Sequence, residues 1–287
     1  MPRGVPKAGY RNVANRTVTD LPGRIVPLQV ISNETDDEIE ARLAERFGIL
    51  TTLTDAAIQG KARSLIVSGP PGLGKSFTVE EALKSFDPNA LNYAIVKGYV
   101  KTTGLLKLLY QYREQGQVIV FDDADTVFYD DTSLNLLKAV CDTTETRTVS
   151  YLAESNLIDE ESAERIPRSF EFEGTIVFIT NLDFDALIDK GHKLAPHLQA
   201  LVSRSHYIDL SLKTKRDYMV RIRQVVKAGL LRNAGLDLQQ SADVMQFIEK
   251  NSDKLRELSL RMALKIGALR KMGGNWQSLA KVTCCKS

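Results

Sequence analysis

The sequence predicts a three-layer α/β domain around a central parallel five-stranded sheet, followed by a small all-helical domain. Three observations carry that expectation: five short apolar runs rich in β-branched residues, helical stretches between them, and the end of such runs after Leu210. Strands buried on both faces read as continuous apolar runs, and parallel neighbours need crossovers long enough for a helix. With 287 residues, 43% hydrophobic and 26% charged, the chain has globular composition and enough length for about two packed units.

Taken in order, residues 1–33 read as a basic N-terminal arm. Positions 1–24 hold five basic residues and no apolar periodicity, which fits either a loose tail or a docking arm. The α/β domain is placed at 34–212. Its first helix opens on the acidic turn Glu34 to Glu38, suited to the positive end of a helix dipole, and continues with Ile39, Leu43, Phe47 and Leu50 at helical spacing. Strands are expected at 64–68, 91–96, 118–121, 175–180 and 206–210. Within 147–174, two alternating segments flank an acidic loop at 154–164 and predict a β-hairpin insertion. Residues 213–287 form the helical domain, with Tyr218, Ile222 and Val225, then Val244, Phe247 and Ile248, then Leu258, Met262 and Ile266 on apolar faces.

The net charge of +2 conceals an asymmetry. Residues 211–287 carry 16 basic against 6 acidic residues, whereas 1–210 carry 22 against 30. Such a division fits a nucleic-acid surface on the basic part, or attraction between basic and acidic parts of neighbouring subunits. No window has the roughly 18 consecutive apolar residues of a membrane span, and the N-terminus lacks a secretion signal, so a cytoplasmic protein without a membrane partner is expected. Cys141, Cys284 and Cys285 have neither disulfide nor metal-ligand spacing, as suits a reducing compartment.

Gly69-Pro70-Pro71-Gly72-Leu73-Gly74-Lys75-Ser76 fits a phosphate-binding loop between a strand and a helix. Its glycines let backbone N–H groups turn toward phosphates, Lys75 neutralises the outer ones, and Ser76 can ligate Mg²⁺. The run from Val118 to Phe121 ends in Asp122 and Asp123, delivering two carboxylates to the edge of the sheet where ligands bind. Asp122 is the expected Mg²⁺ ligand and Asp123 the expected general base toward water. Asn181 closes another apolar run; it either orients the attacking water without adding charge or simply forms a turn.

This ordered set resembles the AAA+ ATPases, the ring-forming P-loop family, over residues 45–275. The resemblance matches 69–76 to Walker A, 118–123 to Walker B and Asn181 to sensor 1. By the same likeness, Arg204 in Leu201-Val202-Ser203-Arg204-Ser205 is an arginine finger reaching into a neighbour's site. Arg261 in Leu258-Ser259-Leu260-Arg261 is the sensor 2 residue of the same chain. Read on their residues alone, both arginines also fit ordinary surface positions. One departure stands out: Asp123 occupies a place where the family usually has Glu, which is one methylene longer. Lys97, Tyr99 and Lys101 correspond to the family's substrate-gripping pore loop, although Tyr99 also fits packing beside Leu105 and Leu106.

The resemblance implies ATP and Mg²⁺ as cofactors and a ring or helical homo-oligomer, with a hexamer expected. It leads to an ATPase that remodels a protein or nucleoprotein complex. A DNA-associated helicase loader or replication motor is the second reading, and a non-hydrolysing ATP-binding scaffold the third. The compact plan also resembles small bacteriophage-encoded members, which would place the protein in the host cytoplasm.

Overall fold

The computed structural model describes residues 34–152, 157–158 and 165–286. The basic arm at 1–33 and most of the acidic loop at 154–164 lie outside these residues. Contacts divide the chain after Thr35, and Asp36–Ser287 forms one compact unit. The helical segment expected from 213 onward is thus part of the same unit as the sheet.

Five parallel strands make the central sheet: β1 (Ser64–Ser68), β2 (Tyr93–Lys97), β3 (Val118–Asp122), β6 (Thr175–Thr180) and β7 (His206–Asp209). Their spatial order is β2-β3-β6-β1-β7. This is the α/β fold class that the apolar runs predict. The two-stranded antiparallel hairpin is β4 (Thr148–Ser150) with β5 (Ser169–Glu171). Strand β2 begins at Tyr93 rather than at 91, and Leu91 is left 72% exposed.

Because side chains alternate along a strand, the buried runs feed two different cores. Ile66, Ile119, Phe121, Ile176 and Phe178 pack in one cluster with α3 (Thr102–Gln111), α4 (Asp131–Val140), α5 (Phe184–Asp189) and α6 (Ala195–Val202). Leu65, Val67, Val118, Val120, Val177 and Ile179 face the other way, against Ile39, Leu43 and Leu50 of α1 (Asp36–Ile58) and Val79 and Leu83 of α2 (Lys75–Phe86). A third cluster unites the C-terminal helices: α7 (Lys215–Lys227), α8 (Leu230–Asn233), α9 (Leu238–Lys250), α10 (Leu260–Met272) and α11 (Trp276–Cys284). Ile222, Val244, Phe247, Ile266 and Trp276 form its centre. Leu258 precedes the helix it was expected to start, because Ser259 is the N-cap and accepts a hydrogen bond from the Met262 N–H at 3.0 Å.

Charge joins the helical segment to the α/β part. Asp36 accepts from Arg216 Nε at 2.6 Å and from Arg223 Nη1 at 2.9 Å, and Asp217 accepts from Arg42 at 3.3 Å. Arg216, followed by Arg223, holds the Asp36 carboxyl below its ordinary pKa. Some of the basic surplus after residue 210 is therefore matched inside this chain, an arrangement that the charge tally did not anticipate.

Candidate functional site

Strand register brings the predicted chemistry to one edge. Ser68 pairs with Thr180 and Asp122 with Ile179, so the loop after β1, the acids at the end of β3 and Asn181 after β6 emerge side by side. Lys75, 5% exposed, donates through Nζ to the carbonyls of Gly69 and Pro70, and to Asn181 Oδ1 at 3.0 Å. Ser76 Oγ donates to Asp122 Oδ1 at 2.7 Å. Asn181 Nδ2 donates to Asp123 Oδ1 at 2.7 Å, so this amide bridges the lysine and the second acid. Burial pushes Lys75 down to about 8, against the opposing pull of Asp123 and Asp122; the Arg261 charge adds to the lowering.

The loop is also built against the helical segment. Leu260 N–H donates to the Gly72 carbonyl at 2.8 Å. Gly72 sits at φ +74°, and a Cβ there would lie 2.6 Å from Ser259 Cβ, so glycine is required both by conformation and by contact. Asp123 also has a left-handed backbone, a non-glycine residue at φ +53°. Its N–H still donates to the Ile179 carbonyl at 2.9 Å before the chain turns away.

A cavity of about 720 Å³ opens between this loop, α1 and the helical segment. Lys75, Asp123, Asn181 and Arg261 are among its lining residues, as are Gly48, Thr51, Val225 and Leu230. Arg261, exposed in the first turn of α10, thus shares one cavity with Asp123. Arg204 does not. It lies just before β7, whose His206 pairs with Leu65 near the start of β1, at the sheet edge opposite the loop. At about 3.3 Å per residue, five strand residues separate the two edges by roughly 15 Å. There Arg204 Nη1 donates to the Ala200 carbonyl at 2.8 Å, and Asp142 stands 3.9 Å from its Nε.

The three expected pore residues part company. Tyr99 is 72% exposed, so it does not pack beneath α3, and Lys101 is exposed at the N-cap of that helix. Lys97, whose register partner is Asp122, turns its amine back to Glu80 at 2.7 Å and to Asp122 Oδ2 at 3.1 Å. Those bonds, Glu80 first, raise its pKa.

Sequence reasoning missed two residues. Asp125 accepts from Thr180 Oγ1 at 2.6 Å, and burial raises its pKa, with Asp123 adding to the rise. A signal was present in Asp122-Asp123-Ala124-Asp125, whose third acid lies just beyond the strand. The other is Arg221, buried in the cavity wall among the apolar positions of α7.

Mg²⁺ fits the donors at this edge. Ser76 and Asp122 offer hard oxygens 2.7 Å apart, and no cluster of three His, Cys, Asp or Glu exists among the described residues. That is the donor set of an ion held by one carboxylate together with substrate phosphates, rather than by an all-protein cage.

Among known proteins, an uncharacterised 36.7 kDa protein of Enterobacteria phage T4, from the nrdC-mobD intergenic region, is 39% identical over 250 residues. The match covers 86% of this chain and 76% of the T4 protein. No family model matches. Among solved structures, NtrX from Brucella abortus in complex with ADP is 14% identical with a TM-score of 0.46, covering 78% of this chain and 49% of its own. A RuvB variant from Thermotoga maritima is 15% identical with a TM-score of 0.43, covering 88% of this chain and 65% of its own. Drosophila ORC bound to DNA is 14% identical with a TM-score of 0.45, covering 95% of this chain and 67% of its own. The chain thus spans about half the length of NtrX and about two thirds that of RuvB. No helix among the described residues is long and apolar enough to cross a membrane.

Proposed function

From the chain's membership of the phage T4 protein's family, and from the AAA+ ATPase fold and motif set it carries, we propose an enzyme that binds ATP with Mg²⁺ and hydrolyses it between neighbouring copies of itself. The observation that carries this reading is the meeting of Lys75, Ser76, Asp122, Asp123 and Asn181 at one sheet edge, where Asn181 is bonded to Lys75 and to Asp123, and Ser76 to Asp122. Backbone N–H groups of 72–76 and Lys75 bind the phosphates. Ser76 and Asp122 would hold Mg²⁺, which when bound would neutralise phosphate charge. Asp123 accepts the proton of the attacking water, and Asn181, already bonded to Asp123, orients that water.

Arg261 serves its own cavity. Arg204, at the opposite edge, serves a neighbour's, where a finger of this kind changes rate by about 10³–10⁵-fold. Assembly is therefore part of catalysis, in a ring or helical oligomer for which a hexamer is the working number. The exposed Tyr99 and Lys101 are offered to cargo, which we take to be a protein or nucleoprotein complex in the host cytoplasm. The pairing of Arg216 and Arg223 with Asp36 inside the chain removes part of the basic surface on which a DNA-motor reading would rest.

Phosphate release measured together with oligomer size, with single-stranded DNA, duplex DNA and an unfolded protein as stimulants, tests the proposal and identifies the cargo class. Mixing tests the trans role: Arg204→Ala and Asp123→Asn subunits, each inactive alone, are expected to recover activity together. No heat on titration with ATP and Mg²⁺ would end the reading, and no recovery at any mixing ratio would remove Arg204 from it.

A further inference from the structure

Arg221 is a buried cation in the cavity wall that no acid among the described residues neutralises. It is 9% exposed, and its guanidinium carbon lies 3.4 Å from the centroid of the Phe47 ring. Nη1 donates to Gln224 Oε1 at 2.7 Å and Nη2 to the Leu73 carbonyl at 3.5 Å, both neutral acceptors. Nε is buried with no hydrogen-bond partner among the described residues. Two other arginines of the same helix, Arg216 and Arg223, are each paired with Asp36. Burial lowers the Arg221 pKa to about 10 with no carboxylate opposing it. A guanidinium taken out of water without a counter-charge is unfavourable, and an aromatic face compensates only part of that cost.

Its position specifies which anion would relieve it. Nη2 bonds Leu73 and would lie 3.9 Å from a Cβ on Gly74, so the guanidinium stands beside the part of the glycine loop that leads into α2. In a phosphate loop, that backbone cradles the α- and β-phosphates, while the lysine reaches the β- and γ-phosphates. Lys75 is bonded to Asn181 and feels the charges of Asp123 and Arg261, whereas Arg221 is not among the groups that shift it.

We propose that Arg221 binds the diphosphate portion common to ADP and ATP, and that its stacking on Phe47 fastens α1 and α7 to the loaded loop. This rests on the nucleotide reading above. The test is calorimetry with ADP and with ATP on the full chain, wild type against Arg221→Met and Arg221→Lys, with melting of each nucleotide-free protein. Arg221→Met should weaken ADP and ATP by the same factor, about 10- to 100-fold. Its nucleotide-free form should melt no lower than wild type. Arg221→Lys, which keeps the charge but not the planar fork, should weaken both nucleotides equally and less; it carries the test alone should the Met variant not fold. Wild-type ADP affinity in either variant, or a loss confined to ATP, would overturn the assignment. Wild type that binds neither nucleotide would overturn the parent reading and this one with it.

Discussion

Replacing Gly72 with Ala probes whether the helical segment rests on the phosphate loop. The added Cβ would meet Ser259 Cβ at 2.6 Å and Ser259 Oγ at 3.1 Å. Ser259 has little room to retreat: it is 4% exposed, accepts from the Met262 N–H at 3.0 Å and donates to Glu257 at 2.8 Å. The left-handed φ of +74° costs a non-glycine residue about 1–2 kcal/mol, and overpacking adds about 1–3 kcal/mol. Gly72→Ala should therefore destabilise the protein by about 2–5 kcal/mol in urea unfolding. Ser259→Gly alone should cost only a few tenths of a kcal/mol as a cap, since glycine is a tolerated N-cap. Combined, the two should recover the steric part and leave about 1–2 kcal/mol of backbone strain. If the two changes instead add to within about 0.5 kcal/mol, Gly72 and Ser259 are not in contact, and the docked arrangement is wrong.

Lys75→Ala should abolish ATP hydrolysis and reduce ADP affinity, measured by calorimetry beside the wild-type chain. Asp123→Asn should retain ATP binding while losing at least about 10²-fold in phosphate release, the scale of one general base. The depressed Lys75 makes nucleotide binding pH-dependent. Free protein loses this proton as pH rises through about 8, whereas phosphates hold it in the complex, so Mg²⁺-free ADP affinity should fall above pH 8 with net proton uptake on binding. The stability of the free protein moves the other way: between pH 8 and 10.5 the unfolded lysine binds the extra proton, so rising pH favours the fold. Affinity that stays flat from pH 7 to 9.5 would contradict the burial argument.

The sheet was legible because all of β1, β3 and β6 is buried, leaving apolar runs without alternation. The meeting of the 69–76 loop with Asp122 was legible because each directly follows an apolar run, and parallel strands deliver such ends to one edge. Arg221 was not, since one arginine among three in an amphipathic helix does not announce that it lies on a phenylalanine 174 positions earlier. The turning of Lys97 was hidden for a similar reason: its partners Glu80 and Asp122 come from α2 and β3, and only strand register brings them within reach. The charge asymmetry was visible, but its partial cancellation depends on α1 lying along α7, which a tally does not contain.

At position 123, backbone and side chain constrain each other. Glutamate would extend the carboxylate by one carbon, yet here the left-handed twist has already swung the shorter acid onto its amide partner. Asp tolerates that twist better than most residues bearing a Cβ. Substitution by the longer homologue would therefore exchange a settled geometry for added strain, and side-chain length alone is a poor guide to how well position 123 would serve the proposed hydrolysis.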